Sequence, residues 1–133
     1  MTTIPDSHRD LLNAQVAVLG TIGASGRPQL SGVWFITEDD TVKFSLNTDR
    51  QKVKNLLADP KVSVLIFDEK SPYRYLELRG DAEITPDPDY TFANKVGAKY
   101  NADLRNMDKP GEKRVVVTIR PTRVVTWGAA AES

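Results

Sequence analysis

The chain is short of several residue types that carry chemistry in proteins. It contains no cysteine and a single histidine, His8. Without cysteine there is no disulfide framework, no thiolate nucleophile and no cysteine-ligated metal site. With one histidine near the N-terminus, a histidine-dependent triad or a metal site built from several histidines is not expected. The protein is therefore not predicted to carry a metal or a catalytic set of its own.

An excess of either charge is also lacking. The 18 basic and 18 acidic residues give a net charge of zero. Nucleic-acid-binding domains usually carry a basic excess, so no nucleic-acid partner is expected. There is no secretory signal and no apolar run long enough to cross a bilayer, which predicts a soluble, cytoplasmic protein with no membrane partner. The 133 residues suffice for one domain, residues 1–133, with a core of its own.

Hydrophobic periodicity predicts a mainly β protein with flanking helices. The predicted strands cover residues 16–22, 28–36, 41–47, 61–67, 73–85 and 114–127, and the predicted helices cover 5–13, 48–58 and 87–100. The polar residues 37–40 are predicted to form a tight turn that closes a hairpin, and a bulge is predicted near Gly80 in the long strand 73–85. Most strands are joined by short turns, and the helices do not alternate regularly with them. This order favours an antiparallel barrel or sandwich over a doubly wound fold.

The stretch 44–57, FSLNTDRQKVKNLL, reads as a strand that runs directly into a helix. Thr48 stands at a capping position, and Gln51 follows at the spacing of a capping box. Val53, Leu56 and Leu57 recur at helical spacing and predict the buried stripe of this helix.

Three cations, Arg50, Lys52 and Lys54, crowd the start of the same helix. A helix N-terminus already carries partial positive charge, so cations there are electrostatically unfavourable unless an anion joins them. Unpaired N–H groups and cations together suit a phosphate. The alternative interpretation is that these are solvated residues on a surface helix.

Flat aromatic side chains and small polar groups accompany this basic helix. Trp34, Tyr73, Tyr75 and Trp127 can wall a planar ring, and Gln29, Ser31, Ser45 and Asn47 can hydrogen-bond to it. Each aromatic can equally be packing, and the two tyrosines suit a dimer face as well as a ligand site. His8 is interpreted as a surface residue on the first helix. A phosphate site and aromatic walls without a nucleophile and base favour an enzyme whose cofactor carries the chemistry.

Three segments, GRPQLSGVWFI, FSLNTDRQKVKNLLADPKVSVLIF and YRYLELRGDAEIT, resemble the flavin- and deazaflavin-binding split β-barrel family, which includes pyridoxamine 5′-phosphate oxidase. The similarity covers residues 8–127, and its most specific part is the order strand, R-x-K-x-x-N-L, D-P-x-V. The chain is most similar to the small reductases that use coenzyme F420. The resemblance implies a Greek-key split barrel that works as a homodimer with two cofactor sites at the interface.

The resemblance also implies roles for individual residues. Arg50 and Lys52 match the phosphate-binding pair, with Gln51, Lys54 and Asn55 beside them in the helix. The strand along the cofactor's ribityl chain and ring is matched by Ser45, Leu46 and Asn47, and the strand beside the ring by Ser31, Val33 and Trp34. Tyr73 and Tyr75 match positions that reach the cofactor of the other subunit.

The chain departs from the vitamin-oxidase branch of the family, which has a basic, histidine-containing segment near its C-terminus. Here the last strand reads TRVVTWGAAAES. The resemblance therefore implies an F420-dependent reductase acting on a small electron-poor substrate, such as an enone or quinone. An FMN-binding oxidoreductase or electron carrier of the same fold is the alternative, and a non-catalytic cofactor or tetrapyrrole binder is the second alternative.

Overall fold

The computed structural model describes residues 3–129 and is dominated by seven strands. The strands are β1 (Ala17–Ile22), β2 (Pro28–Val33), β3 (Ile36–Glu38), β4 (Thr41–Asn47), β5 (Lys61–Phe67), β6 (Tyr75–Pro86) and β7 (Arg114–Trp127). The helices are α1 (Gln51–Ala58) and α2 (Thr91–Tyr100), with 3₁₀ helices at Asp6–Asn13 and Leu104–Met107. Among residues 3–129, none of these helices combines the length and apolarity that a membrane span needs.

The strands form one antiparallel sheet in the order β2-β1-β5-β6-β7-β4-β3. Its two edge strands, β2 and β3, are consecutive in the chain and are joined only through Trp34 and Phe35. Three peptide units reach about 11 Å, whereas six strand spacings in a flat sheet would span about 29 Å. The sheet must therefore curl until its edges meet at this connection, which we call the corner. The mainly β, split-barrel architecture expected from the sequence is confirmed.

Two hydrophobic clusters lie on opposite faces of the sheet. The inner cluster fills the barrel with alternating strand residues, among them Leu19, Phe44, Val64, Leu78 and Val117. The smaller outer cluster is formed by Phe92, Ala93, Val96 and Leu104, and it packs α2 against the outside of β3, β4 and β7. Strand β4 is consequently covered on both faces, and its burial is almost continuous.

Several local predictions are confirmed in detail. Residues 61–67 and 114–127 are strands with the predicted bounds. The turn predicted over residues 37–40 is present but shorter, because Thr37 and Glu38 belong to β3. Asp39 and Asp40 make a two-residue hairpin turn with φ of 50° and 60°, the conformation of the turn type that suits twisted strands. The predicted irregularity near Gly80 is a register shift at Arg79/Gly80. A Cβ on Gly80 would lie 2.6 Å from the carbonyl oxygen of Arg120, so only glycine fits this bulge.

Other boundaries differ from the prediction. The predicted strand 28–36 breaks at the corner, because β2 ends at Val33 and Ile36 already belongs to β3 at the opposite edge of the sheet. The helix predicted to start at Asp87 begins at Thr91. Asp87 nevertheless acts on that helix, since its carboxylate accepts hydrogen bonds from the backbone N–H groups of Phe92 and Ala93.

The prediction for α1 was wrong in two respects. The residue that caps it is Arg50, with no side-chain capping bond, so Thr48 and Gln51 form no capping box. Leu57 is 67% exposed, whereas Asn55 is only 4% exposed. Asn55 donates to Oγ1 of Thr21 at 3.1 Å and to Oε1 of Gln29 at 3.0 Å, and it accepts from Nε2 of Gln51 at 2.8 Å. The helix is thus docked on β1 and β2 by a buried amide.

His8 is also not a surface residue, because it is 2% exposed. Its Nε2–H donates to the carbonyl oxygen of Trp127 at 3.0 Å, and Nδ1 accepts from the hydroxyl of Ser7 at 2.8 Å. Beside it, the buried guanidinium of Arg74 binds the carboxylate of Asp10 and the carbonyl oxygen of Ser7. The first 3₁₀ helix is therefore fastened across the end of the sheet.

A buried ion pair ties the segment after α2 to β4 and β7. Nε of Arg114 donates to Asp108 at 2.9 Å, and both side chains are under 10% exposed. Asp108 also accepts from the hydroxyl of Tyr90 at 2.6 Å and from Nδ2 of Asn47 at 3.3 Å. Burial alone would raise the pKa of Asp108, but the hydrogen bonds from Arg114, Tyr90 and Asn47 outweigh it and hold the pKa below its usual range.

We expect Asn55→Ala to destabilise the protein by about 1–3 kcal/mol, because it leaves Thr21, Gln29 and Gln51 without their buried partner. Urea unfolding of the purified variant measures this. Lys54→Ala is the matched control, because Lys54 is the preceding residue on the helix and its side chain is exposed. This substitution should change stability by less than about 0.5 kcal/mol. Equal effects of the two substitutions would contradict the docking role of Asn55.

We expect Asp108→Asn to cost about 3–5 kcal/mol at neutral pH, because Arg114 then remains buried without its carboxylate. The folded-state pKa of Asp108 is lowered, so its contribution is present above the ordinary aspartate pKa and is lost as pH falls below it. Urea midpoints measured from pH 7 to pH 3 should fall less steeply for the variant than for the wild type. Asp89→Asn, at an exposed position, should leave the acid slope unchanged, and the same slope in all three proteins would refute the assignment.

Candidate functional site: a cleft between two strand edges

The candidate site is the gap between the unpaired edges of β2 and β4 below the corner, which we call the cleft. Strand β3 pairs only with Thr41–Lys43 of β4, and β2 pairs only with β1 among the described strands. The edge of β4 from Phe44 onward therefore faces the outer edge of β2 without a strand between them. Helix α1 lies at the far end, where Lys52 meets Ser31 of β2.

The open edge of β4 presents backbone hydrogen-bonding groups to this cleft. In a two-residue hairpin the closing pair, here Glu38 and Thr41, is hydrogen-bonded. Thr41 and Lys43 therefore direct their backbone groups toward β3, and the residues between them direct theirs toward β7. Beyond the end of β3, the same alternation aims the N–H groups of Ser45 and Asn47 into the cleft. Fixed backbone donors of this kind suit the polar edge of a ring or chain.

Cations lie at the α1 end of the cleft. Arg50 is exposed at the cap of the helix, and Lys52 is half-buried with its Nζ 3.0 Å from the hydroxyl oxygen of Ser31. Burial, and then the nearby charge of Arg50, lower the pKa of Lys52. The first turn of α1 contains no acidic residue. Two cations at the positive end of a helix, one of them bonded to a neutral hydroxyl, form a site suited to a phosphate.

The other predicted residues of the helix lie away from this end of the cleft. Lys52 and Lys54 are two positions apart on a helix and so face nearly opposite directions. Lys54 and Gln51 line a separate groove with Gly23 and Gly26 of the β1–β2 turn. Asn55 is buried against β1 and β2, where it docks the helix.

Side chains on β4 mostly serve the fold rather than the cleft. Leu46 belongs to the barrel core. The hydroxyl of Ser45 lies near Arg114, and the amide of Asn47 bonds to Asp108 and to the N–H of Asp49. The predicted contribution of this strand to a cofactor site therefore has to come from its backbone.

The predicted residues of β2 and the corner divide between cleft and core. Ser31 lies at the cleft with Lys52, whereas Val33 is buried in the barrel. Trp34 is half-buried and stacks on Tyr100 of α2, with ring centroids 4.5 Å apart and planes 6° from parallel. Tyr100 was not among the predicted site residues, because nothing local in the sequence links the end of α2 to the corner.

Tyr73 and Tyr75 lie elsewhere in the chain. Tyr73 is 86% exposed in the loop before β6. Tyr75 begins β6, in the middle of the sheet order, where its neighbours in register are Phe67 and Trp127. One chain does not bring these tyrosines to its own cleft.

Comparison with known proteins agrees with this architecture. The family model described as pyridoxamine 5′-phosphate oxidase matches residues 4–128. A structure named F420 reductase is 34% identical to this chain and has a TM-score of 0.80. The match covers 92% of this chain and 98% of that chain. A conserved hypothetical protein from Mycobacterium tuberculosis is 28% identical, with a TM-score of 0.76 and coverage of 94% and 85%.

A third similar structure, HupZ of Group A Streptococcus, is 25% identical with a TM-score of 0.73, and it covers 98% of this chain and 100% of that chain. The match to the family model spans nearly the whole chain, and the curled sheet has the architecture that the matching segments imply. The chain is a member of the pyridoxamine 5′-phosphate oxidase-like split-barrel family.

Proposed function

We propose that this protein is an F420-dependent oxidoreductase that transfers a hydride from the reduced deazaflavin to a small electron-poor acceptor such as an enone or quinone. The observation that carries the proposal is the pair Arg50 and Lys52 at the end of a cleft bordered by open strand edges. The family generally comprises oxidoreductases with flavin-type cofactors. The similarity to the F420 reductase favours the deazaflavin within that group.

Each part of the chain has a distinct task in this proposal. Arg50, Lys52 and the N-terminus of α1 hold the cofactor's phosphate, and Ser31 orients the Lys52 ammonium. The backbone N–H groups of Ser45 and Asn47 bind the polar edge of the cofactor, and Trp34 borders its ring. When bound, the deazaflavin supplies the hydride, so the protein needs to bind, orient and exclude water rather than provide a nucleophile.

FMN is the alternative cofactor, because its phosphate would engage the same two cations. Binding measurements with both cofactors separate the two cases. The tetrapyrrole alternative is disfavoured by His8, since both of its ring nitrogens are engaged in hydrogen bonds inside the fold. Ligation of a haem iron by His8 would have to break one of them.

We further propose that the working form is a homodimer. The outer face of the sheet, formed by β2, β1, β5, β6 and β7, carries exposed apolar side chains. Leu30 is 70% exposed, Trp127 64% and Phe67 37%, and Tyr75 lies in register between the last two. An apolar sheet face of this kind marks an interaction surface. A second copy would cover it and is the only route by which Tyr73 and Tyr75 can reach a cofactor, because they lie away from the cleft of their own chain.

We expect Lys52→Ala to weaken cofactor binding about 10- to 150-fold, because a charge-assisted hydrogen bond is worth roughly 1.5–3 kcal/mol. Fluorescence titration with F420 and with FMN measures the loss. The melting temperature of the apo-protein should stay unchanged or rise, since a cation leaves the positive end of a helix. Lys95→Ala on α2 is the charge-matched control and should leave cofactor binding unchanged. Binding by Lys52→Ala within twofold of wild type for both cofactors would contradict the proposed phosphate site.

We expect the wild type to sediment as a dimer at micromolar concentration and Leu65→Glu to sediment as a monomer. Leu65 lies on β5 on the outer face, next to Glu77 in register, so a new carboxylate would be buried beside a like charge. Lys61→Glu, at an exposed strand position near the rim, is the control and should remain dimeric. A monomeric wild type would contradict the proposed dimer and any site shared between subunits.

A further inference from the structure

The last turn of α2 is fastened to the corner by three kinds of contact. The hydroxyl of Tyr100 accepts from the N–H of Phe35 at 3.0 Å and donates to the carbonyl oxygen of Phe35 at 3.1 Å. The ring of Tyr100 stacks on Trp34. Nζ of Lys99 donates to the carbonyl oxygens of Phe35 at 2.8 Å and Ala14 at 3.1 Å. One helix end thus satisfies both backbone groups of Phe35 and covers the indole beside it.

Lys99 is held in an unusual way for a lysine. Its ammonium lies over the ring of Phe35 at 4.0 Å and over that of Tyr100 at 5.0 Å, and both hydrogen bonds go to neutral carbonyl oxygens. Burial lowers its pKa. Because Ala14 precedes β1 and Phe35 is in the corner, Lys99 links these two segments through one ammonium group.

We propose that Tyr100 and Lys99 are positioning residues for the cofactor ring: they fix the corner at Phe35 and hold the Trp34 indole in one plane at the ring end of the cleft. This inference rests on the proposed function, because the ring is that of the proposed cofactor. Trp34 remains partly exposed although it is stacked. A planar wall that is already fixed binds a planar ring without the entropic cost of ordering it.

Burial of apolar area alone does not require this arrangement, because an aliphatic side chain at position 100 could also pack against the outer cluster. The near-parallel stack and the double hydrogen bond instead restrict the rotation of Trp34. If the role is only structural, substitutions at Tyr100 should lower stability without changing the geometry or affinity of the ring site.

The first test uses the apo-protein. The chain has 2 tryptophans, so a Trp127→Phe background leaves Trp34 as the sole tryptophan reporter. We expect Tyr100→Leu and Lys99→Met to lower the fluorescence anisotropy of Trp34 and its near-ultraviolet circular dichroism. Tyr100→Phe should retain most of both signals because the stack remains. Lys95→Met, one turn earlier on α2, is the control for Lys99→Met and should change neither signal. Unchanged Trp34 signals in Tyr100→Leu would overturn the inference.

The second test measures cofactor binding by equilibrium titration of F420 and FMN. Loss of an aromatic pair should weaken binding of the better ligand about two- to tenfold in Tyr100→Leu, with Tyr100→Phe within twofold of wild type. If the wild type binds and Tyr100→Leu binds equally well, this inference fails and the proposed function stands. If the wild type binds neither cofactor, both fail. If Tyr100→Leu does not fold, cofactor binding by Lys99→Met is compared with binding by Lys95→Met. Weaker binding by Lys99→Met supports the inference, and equal binding by the two variants contradicts it.

Discussion

The structure depends on one covalent constraint, the two-residue connection of Trp34 and Phe35 between opposite edges of a seven-stranded sheet. It forces the sheet to close at one end, and the short β3 strand leaves it open at the other. Helix α1 partly fills that opening with Val53 and Leu56 on the core side and Lys52 on the cleft side. The cleft is therefore a direct consequence of how the barrel closes.

The proposed phosphate site places opposing demands on α1. Cations at its N-terminus cost stability in the apo-protein, and the helix has no side-chain cap to offset them. Its attachment instead relies on the buried amide of Asn55 and on two core residues, Val53 and Leu56. In the proposed site, a bound phosphate would neutralise the cations at the start of the helix, while the contacts of Val53, Asn55 and Leu56 keep the helix docked.

The sequence was informative where a signal is local. Alternation and turn residues predicted β5, β7, the Asp39-Asp40 hairpin and the bulge at Gly80, since each depends on neighbours within a few positions. Leu57 and Asn55 were misjudged because helical spacing does not show which side chain faces a polar surface on other strands. The burial of His8 depends on Trp127, 119 residues away, which no local pattern indicates.

The same distinction applies to the candidate site. Arg50 and Lys52 could be proposed from the sequence, because the basic helix start and the resemblance both identify them. Ser31 could be proposed as a polar strand residue and from the resemblance. The engagement of Ser45 and Asn47 with Arg114 and Asp108, and the stack of Tyr100 on Trp34, required the tertiary structure. These contacts leave the backbone of β4, rather than its side chains, to face the cleft.

The central claim is that this cleft binds a flavin-like cofactor through its phosphate. Equilibrium titration of the wild-type protein with F420 and with FMN, each at low ionic strength, tests it most directly. The account predicts saturable F420 binding with a micromolar Kd and weaker FMN binding. Absence of saturable binding for both cofactors would contradict it.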